Sequence, residues 1–250
     1  MDLLVGQVVA TLLVSLRIAP VVTFAPPFTL LRVPALVRLA LSIGLAAWLV
    51  SIHPEQTWRA EAGASLTILV FSELFLGLTL ALTLQLAFAA LLTAGRAADI
   101  QAGFGLAMLV DPTTRSQMPL VGTLFAYAAG ALFFLTDGPV DLLAIWSSSV
   151  ERVPVGAVIV GNRLEPVLGY IGSVFLLAFG AGGLIILVLF IVDLAIAFMS
   201  RTMPQMNVLL LGFQVKTLVT LLILPVAIGV GSGLFLGVLR MALQTMGSLL

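Results

Sequence analysis

Three ionisable side chains, Arg17, Glu73 and Asp193, stand inside runs that are otherwise apolar. At the centre of a bilayer such a charge costs about 2.5–3.5 kcal/mol on insertion scales, so each must face protein, water or the interface. Three roles compete for them. They pair with one another or with partner subunits; they lie near a helix end and reach the surface; or they form an ion or proton pathway. The pathway is disfavoured by number, because a relay needs several converging ionisable groups and these are isolated. Asp193 and Arg201 are too far apart to pair along one helix, where neighbours lie three or four positions apart. Arg96 and Asp99 have that spacing, which suits a local ion pair.

Other constellations are missing. The chain has no cysteine, which excludes disulfides, thiolate catalysis and Cys-ligated metals. Its single histidine, His53, cannot build a metal cluster, and its only lysine, Lys216, lies in no phosphate-binding loop. Ser232 follows Gly231, but Val230 stands where a nucleophile elbow needs glycine. Gly103 and Gly105 lack the third glycine of a nucleotide fingerprint. Asp137 and Asp141 flank Gly138-Pro139, where a solvated turn accounts for them. Net charge is zero, so no basic footprint for nucleic acid exists. Neither an enzyme nor a cofactor is expected.

The elements that carry these residues are written in the composition. Of 250 residues, 61% are apolar and 9% charged, against about 45–50% and about 25% in a soluble domain. Too few polar side chains exist to coat a water-facing surface, so lipid or other protein must be the solvent. Six apolar runs emerge, at about 3–25, 36–52, 63–94, 118–136, 166–199 and 208–239. A spanning helix needs roughly 20 residues. Runs three, five and six exceed that and need tilt, a kink, a hairpin or an extension beyond the membrane. Gly180, Gly182 and Gly183 in run five offer break points, as do Pro225, Gly229, Gly231, Gly233 and Gly237 in run six. Gly229, Gly233 and Gly237 share one helix face and suit close packing. The expectation is an all-α membrane protein of about six long apolar segments, forming bent helices and hairpins in one domain, 1–250.

The first run has Asp2 in place of a basic leader and is expected to be retained. Six basic residues on one side of the runs against four on the other make a weak positive-inside bias. Helices stacked on partner subunits need not obey that rule.

The link from Gly95 to Leu120 mixes glycine, bulky apolar residues and the Asp111-Pro112 turn. Irregular backbone at membrane depth survives only when buried in protein or lining a cavity. The link is therefore either a pore-lining loop or a re-entrant packing loop.

Here a resemblance enters. Gln85-Leu86-Ala87-Phe88-Ala89-Ala90, Ala94-Gly95, Gln101-Ala102-Gly103, Val110-Asp111-Pro112 and Met118-Pro119-Leu120 resemble the flagellar biosynthetic protein FliR family. So do Asp137-Gly138, Val153-Pro154-Val155-Gly156, and Ser200-Arg201-Thr202-Met203-Pro204-Gln205-Met206-Asn207 continuing into Gly212-Phe213-Gln214-Val215-Lys216. Arg17-Ile18-Ala19-Pro20 and Val33-Pro34-Ala35-Leu36-Val37-Arg38 fit it as well. The resemblance implies a core subunit of a type III export apparatus in the bacterial inner membrane and flagellar basal body. It implies assembly with P- and Q-type subunits into a helical export gate, the conduit for unfolded flagellar proteins. A B-type switch protein and an A-type export protein are further implied partners.

By position, the family's pore plug maps to Gly105, Leu106, Met108, Leu109, Val110, Asp111, Pro112, Met118 and Pro119. In it Phe104 and the methionines would supply adaptable packing, and Asp111 and Pro112 would set the turn. Subunit packing or buried charge falls to Arg17, Glu73, Asp99, Asp193, Arg201, Pro204, Gln205, Asn207, Lys216, Gly229, Gly233 and Gly237. Arg96 and Asp99 depart from the usual flagellar residues, and Asp99 and Asp193 look more like the injectisome branch of the same machinery, whereas Val110-Asp111-Pro112 and Gly212-Phe213 with Lys216 look flagellar. A secondary transporter using Glu73 and Asp193 is the competitor from another class.

Overall fold

Backbone N–H and C=O groups in apolar surroundings must be satisfied within their own segment, which makes helix the default for each run. A computed structural model of the chain describes residues 2–31, 33–57, 65–104, 119–155, 164–203 and 207–250. Their elements are α1 (Asp2–Phe24), α2 (Ala35–Ile52), α3 (Pro54–Thr57), α4 (Leu66–Ala102), α5 (Leu120–Leu135), α6 (Gly138–Arg152), α7 (Leu164–Thr202) and α8 (Val208–Ser248). Among the described residues there is no strand.

Five helices (α1, α2, α4, α7, α8) are long and apolar enough to cross a membrane, and the bent pair α5–α6 makes six. At about 1.5 Å per residue, the 37 residues of α4 reach about 55 Å, beyond the roughly 30 Å hydrocarbon core. Helices α7 and α8 are longer still, at 39 and 41 residues. The break points expected from glycine and proline do not interrupt them. Helix α7 continues through Gly180, Gly182 and Gly183, and α8 continues through Pro225.

The sharp bend lies elsewhere. Between α5 and α6 the axis turns by 72°. A Cβ on Gly138 would fall 2.6 Å from the Phe133 ring and 2.7 Å from its carbonyl oxygen, so the corner closes only on glycine. Pro139 then starts α6, where a missing N–H costs nothing. Asp137 and Asp141 are exposed there, as a solvated turn requires.

The chain divides into two compact units. The first comprises 1–87, 130–172 and 239–250. In it α1 packs on α2 as a hairpin, burying Val14, Ile18, Val21 and Val22. Phe28 stands edge-on to Phe133 and Phe134, at 6.4 and 6.1 Å. Gly77 lets α4 touch α1, because a Cβ there would lie 2.6 Å from the Leu16 carbonyl and 2.7 Å from that of Arg17.

The second unit comprises 88–129 and 173–238. Its arms of α7 and α8 run antiparallel: Ile196 meets Gly212, Ala181 meets Gly231, Gly180 meets Leu234 and Leu177 meets Gly237. Gly182 brings α7 onto α4 at Ala94. Gly95 and Gly122 place the backbones of α4 and α5 in direct contact. Phe125 and Phe235 close the packing edge-to-face at 5.1 Å.

Candidate functional site

The charges embedded in the apolar runs gather at helix ends. A helix leaves orphan carbonyls at its C-terminus and orphan N–H groups at its N-terminus. Their partial charges favour cations at the former and anions at the latter. Among the described residues, Arg17, Arg38 and Lys216 donate to carbonyls at helix C-terminal ends and Asp99 accepts from N–H groups at a helix start, each with the favourable sign.

Arg17, on α1 in the first unit, is 1% exposed, and Glu73, on α4, is 2% exposed. Arg17 Nε donates to Glu73 Oε2 at 2.7 Å and Nη2 donates to Oε1 at 2.9 Å, a bidentate fork. Nη1 donates to the carbonyl oxygens of Ser149 (2.8 Å) and Val153 (3.0 Å), at the C-terminal end of α6. One guanidinium thus neutralises a buried carboxylate and caps a helix. Arg38, at the start of α2, donates to the Thr23 carbonyl at the end of α1, at 2.6 Å. Tyr170 donates to the Thr83 carbonyl at 3.1 Å.

In the second unit Asp99 is buried on α4 and accepts from the backbone N–H groups of Val121 (2.9 Å) and Gly122 (3.3 Å). It caps the N-terminus of α5, as an aspartate does when adjacent in sequence. The local pair expected between Arg96 and Asp99 gives way to this cap. Two N–H donors at a helix start hold the carboxylate, and Arg96 stays exposed.

Lys216 on α8 pairs with Asp193 on α7 and donates to the Gln101 carbonyl at the end of α4, at 3.2 Å. Gln101 Nε2 donates to Asp193 Oδ2 at 2.7 Å. Just beyond, Gly103 takes a left-handed conformation (φ 85°) that closes the helix. The Lys216 and Asp193 side chains are 19% and 35% exposed.

The remaining expected residues separate. Asn207 Oδ1 accepts from Leu210 N–H at 3.3 Å and caps α8. Arg201 is exposed in the last turn of α7 and makes no ion pair among the described residues. Gly229 and Gly233 have nothing within 4 Å of an added Cβ, whereas Gly237 meets Leu177 at 3.0 Å. Pro119 packs on Gly122. Gly105, Leu106, Met108, Leu109, Val110, Asp111, Pro112, Met118, Pro204 and Gln205 lie outside the described residues.

Sequence reasoning missed Arg38, Gln101, Ser149 and the Gly95–Gly122 contact. Their partners are remote in sequence, and only the small size of Gly95 and Gly122 signalled close approach. Among the described residues the arrangement of these helix-end charges pairs no nucleophile with a base. It is a set of electrostatic fasteners for helix ends.

The model of the bacterial export proteins, family 1, matches residues 8–242. Flagellar biosynthetic protein FliR of Bacillus subtilis (strain 168) is 31% identical over 247 residues, covering 96% of this chain and 94% of the relative. The protein of the same name from Escherichia coli (strain K12) is 26% identical, over 79% of this chain and 76% of the relative. Yop proteins translocation protein T of Yersinia pestis is 24% identical, over 76% of this chain and 74% of its own length.

Proposed function

The chain belongs to the bacterial export proteins, family 1, and from that membership we propose that it is a core subunit of a flagellar export gate. At the coarser level it is a subunit of a type III export apparatus and a multi-pass protein of the bacterial inner membrane. The family is a structural one and not an enzyme family. The observation that carries the flagellar reading is the 31% identity to a flagellar relative over 96% of the chain.

In this reading the chain acts as one export domain. It assembles with P- and Q-type subunits, meets a B-type switch protein and an A-type export protein, and helps line the passage for unfolded proteins. Helices of about 55 Å support a site of work that extends beyond the bilayer. The exposure of the Asp193–Lys216 pair supports water on that side, because hydrocarbon would penalise a pair this exposed. The segment from Gly105 to Pro119 is the plug of the closed passage; its apolar composition and Asp111-Pro112 turn support that role.

Two measurements test the proposal. Co-purification with P- and Q-type subunits is expected; a chain that purifies alone and transports solutes in vesicles would instead be a secondary transporter. Deleting 106–118 with the partners present is expected to make the membrane leak small ions. Unchanged leakage overturns the plug. The likeness to the Yersinia protein favours the injectisome as the second reading, and restoration of motility in a flagellar deletion strain separates the two.

A further inference from the structure

We propose that Lys216, oriented by Asp193, is a positioning residue that fixes the point at which the chain leaves α4. The inference rests on the conduit reading above and deepens it.

Lys216 joins three helices through one ammonium group. It is paired to Asp193 on α7, is itself on α8, and donates to the Gln101 carbonyl on the last turn of α4. Asp193 also receives the Gln101 side-chain amide, so Gln101 is held by main chain and side chain together. Two residues later, Gly103 turns out of the helix with φ 85°. The orientation of this last turn therefore depends on a charge-assisted contact.

Fastening the hairpin is not what the pair is needed for. The α7 and α8 arms already meet through Ile196 and Gly212, Ala181 and Gly231, and Leu177 and Gly237. Farther back, α4 is held by Gly182 against Ala94 and by its own Asp99, which accepts from the first turn of α5. Removing Lys216 leaves those contacts in place and releases the Gln101 carbonyl, so that the end of α4 keeps only the side-chain bond to Asp193. Its partial exposure makes the contact separable without opening the core.

The test uses the full complex with its partner subunits. Lys216→Met, Lys216→Arg and Asp193→Asn are each measured for assembled complex, for ion leak per complex, and for export. Lys216→Met and Asp193→Asn are expected to assemble at the unsubstituted level. Their leak per complex should rise about tenfold, the population shift that loss of one charge-assisted hydrogen bond produces. Lys216→Arg, which keeps the charge and the donors, should behave as the unsubstituted chain. Unchanged leak per complex in both neutral variants overturns the proposal. So does a defect that merely tracks the amount of complex. If the 106–118 deletion leaks while Lys216→Met does not, this inference fails and the plug stands; if neither leaks, both fall.

Discussion

The first unit holds the Arg17–Glu73 pair in its interior, and the second holds the Asp193–Lys216 pair nearer a surface. Arg17 and Glu73 are almost wholly buried, meet bidentately, and spend the remaining guanidinium donors on the end of α6. Lys216 and Asp193 share one ammonium between a carboxylate and the end of α4, with about a fifth and a third of their side chains open. Burial makes the first arrangement costly to break, because each partner would lose the opposite charge it is buried against. Access to water or to a partner makes the second easier to undo. The same device, a charge at a helix end, therefore serves permanence in one place and adjustability in the other.

The largest effect should come from removing one side of the buried pair. Arg17→Leu removes the bidentate cation from the buried Glu73 and is expected to cost about 3–5 kcal/mol, read as loss of folded protein in detergent or of chain in membranes. Arg17→Leu/Glu73→Leu should recover much of that. A residue of about 1–3 kcal/mol should remain, because the Ser149 and Val153 carbonyls lose their donor. Equal damage from the double variant would break the comparison, since the pair would then be worth its full cost as a pair.

Next comes Gly77→Ala, whose Cβ meets two backbone carbonyls beside Arg17. Forcing α1 from α4 should cost about 1–3 kcal/mol in thermal stability, with the loss smaller when Arg17 is already leucine. In the second unit, Asp99→Ala removes the cap of α5 and should cost about 1–2 kcal/mol. Faster hydrogen exchange at Val121 and Gly122 checks it. The smallest effect belongs to Glu151→Gln. Glu151 is 54% exposed and 3.7 Å from His53, a surface pair worth under about 1 kcal/mol. A large loss there would show that exposure does not grade these contacts.

How far these contacts could be foreseen depends on sequence distance. Spacing rules reveal partners three or four positions apart on one helix, so Arg96 and Asp99 looked like a pair. The true partners of Asp99 lie 22 and 23 positions away, and Lys216 reaches across 115. Pairing among the embedded charges was one of three open roles. For Arg17 with Glu73 it is what the fold provides, across 56 positions. Glycine and proline were read as break points in runs five and six, yet α7 and α8 continue through them. The break falls at Gly138, where ring and carbonyl of Phe133 leave no room for a side chain.

Composition and run length by themselves determined that this is a helical membrane protein with over-long segments, because apolar surroundings compel every backbone group to bond within its own run. The motifs along the chain determined its family. Only the tertiary structure decided which charge faces which helix end. That choice is made by backbone approach at Gly77, Gly95 and Gly122, which brings remote segments within reach of one another. A long-range electrostatic partner is set by where helices can touch, and no spacing along the chain encodes it.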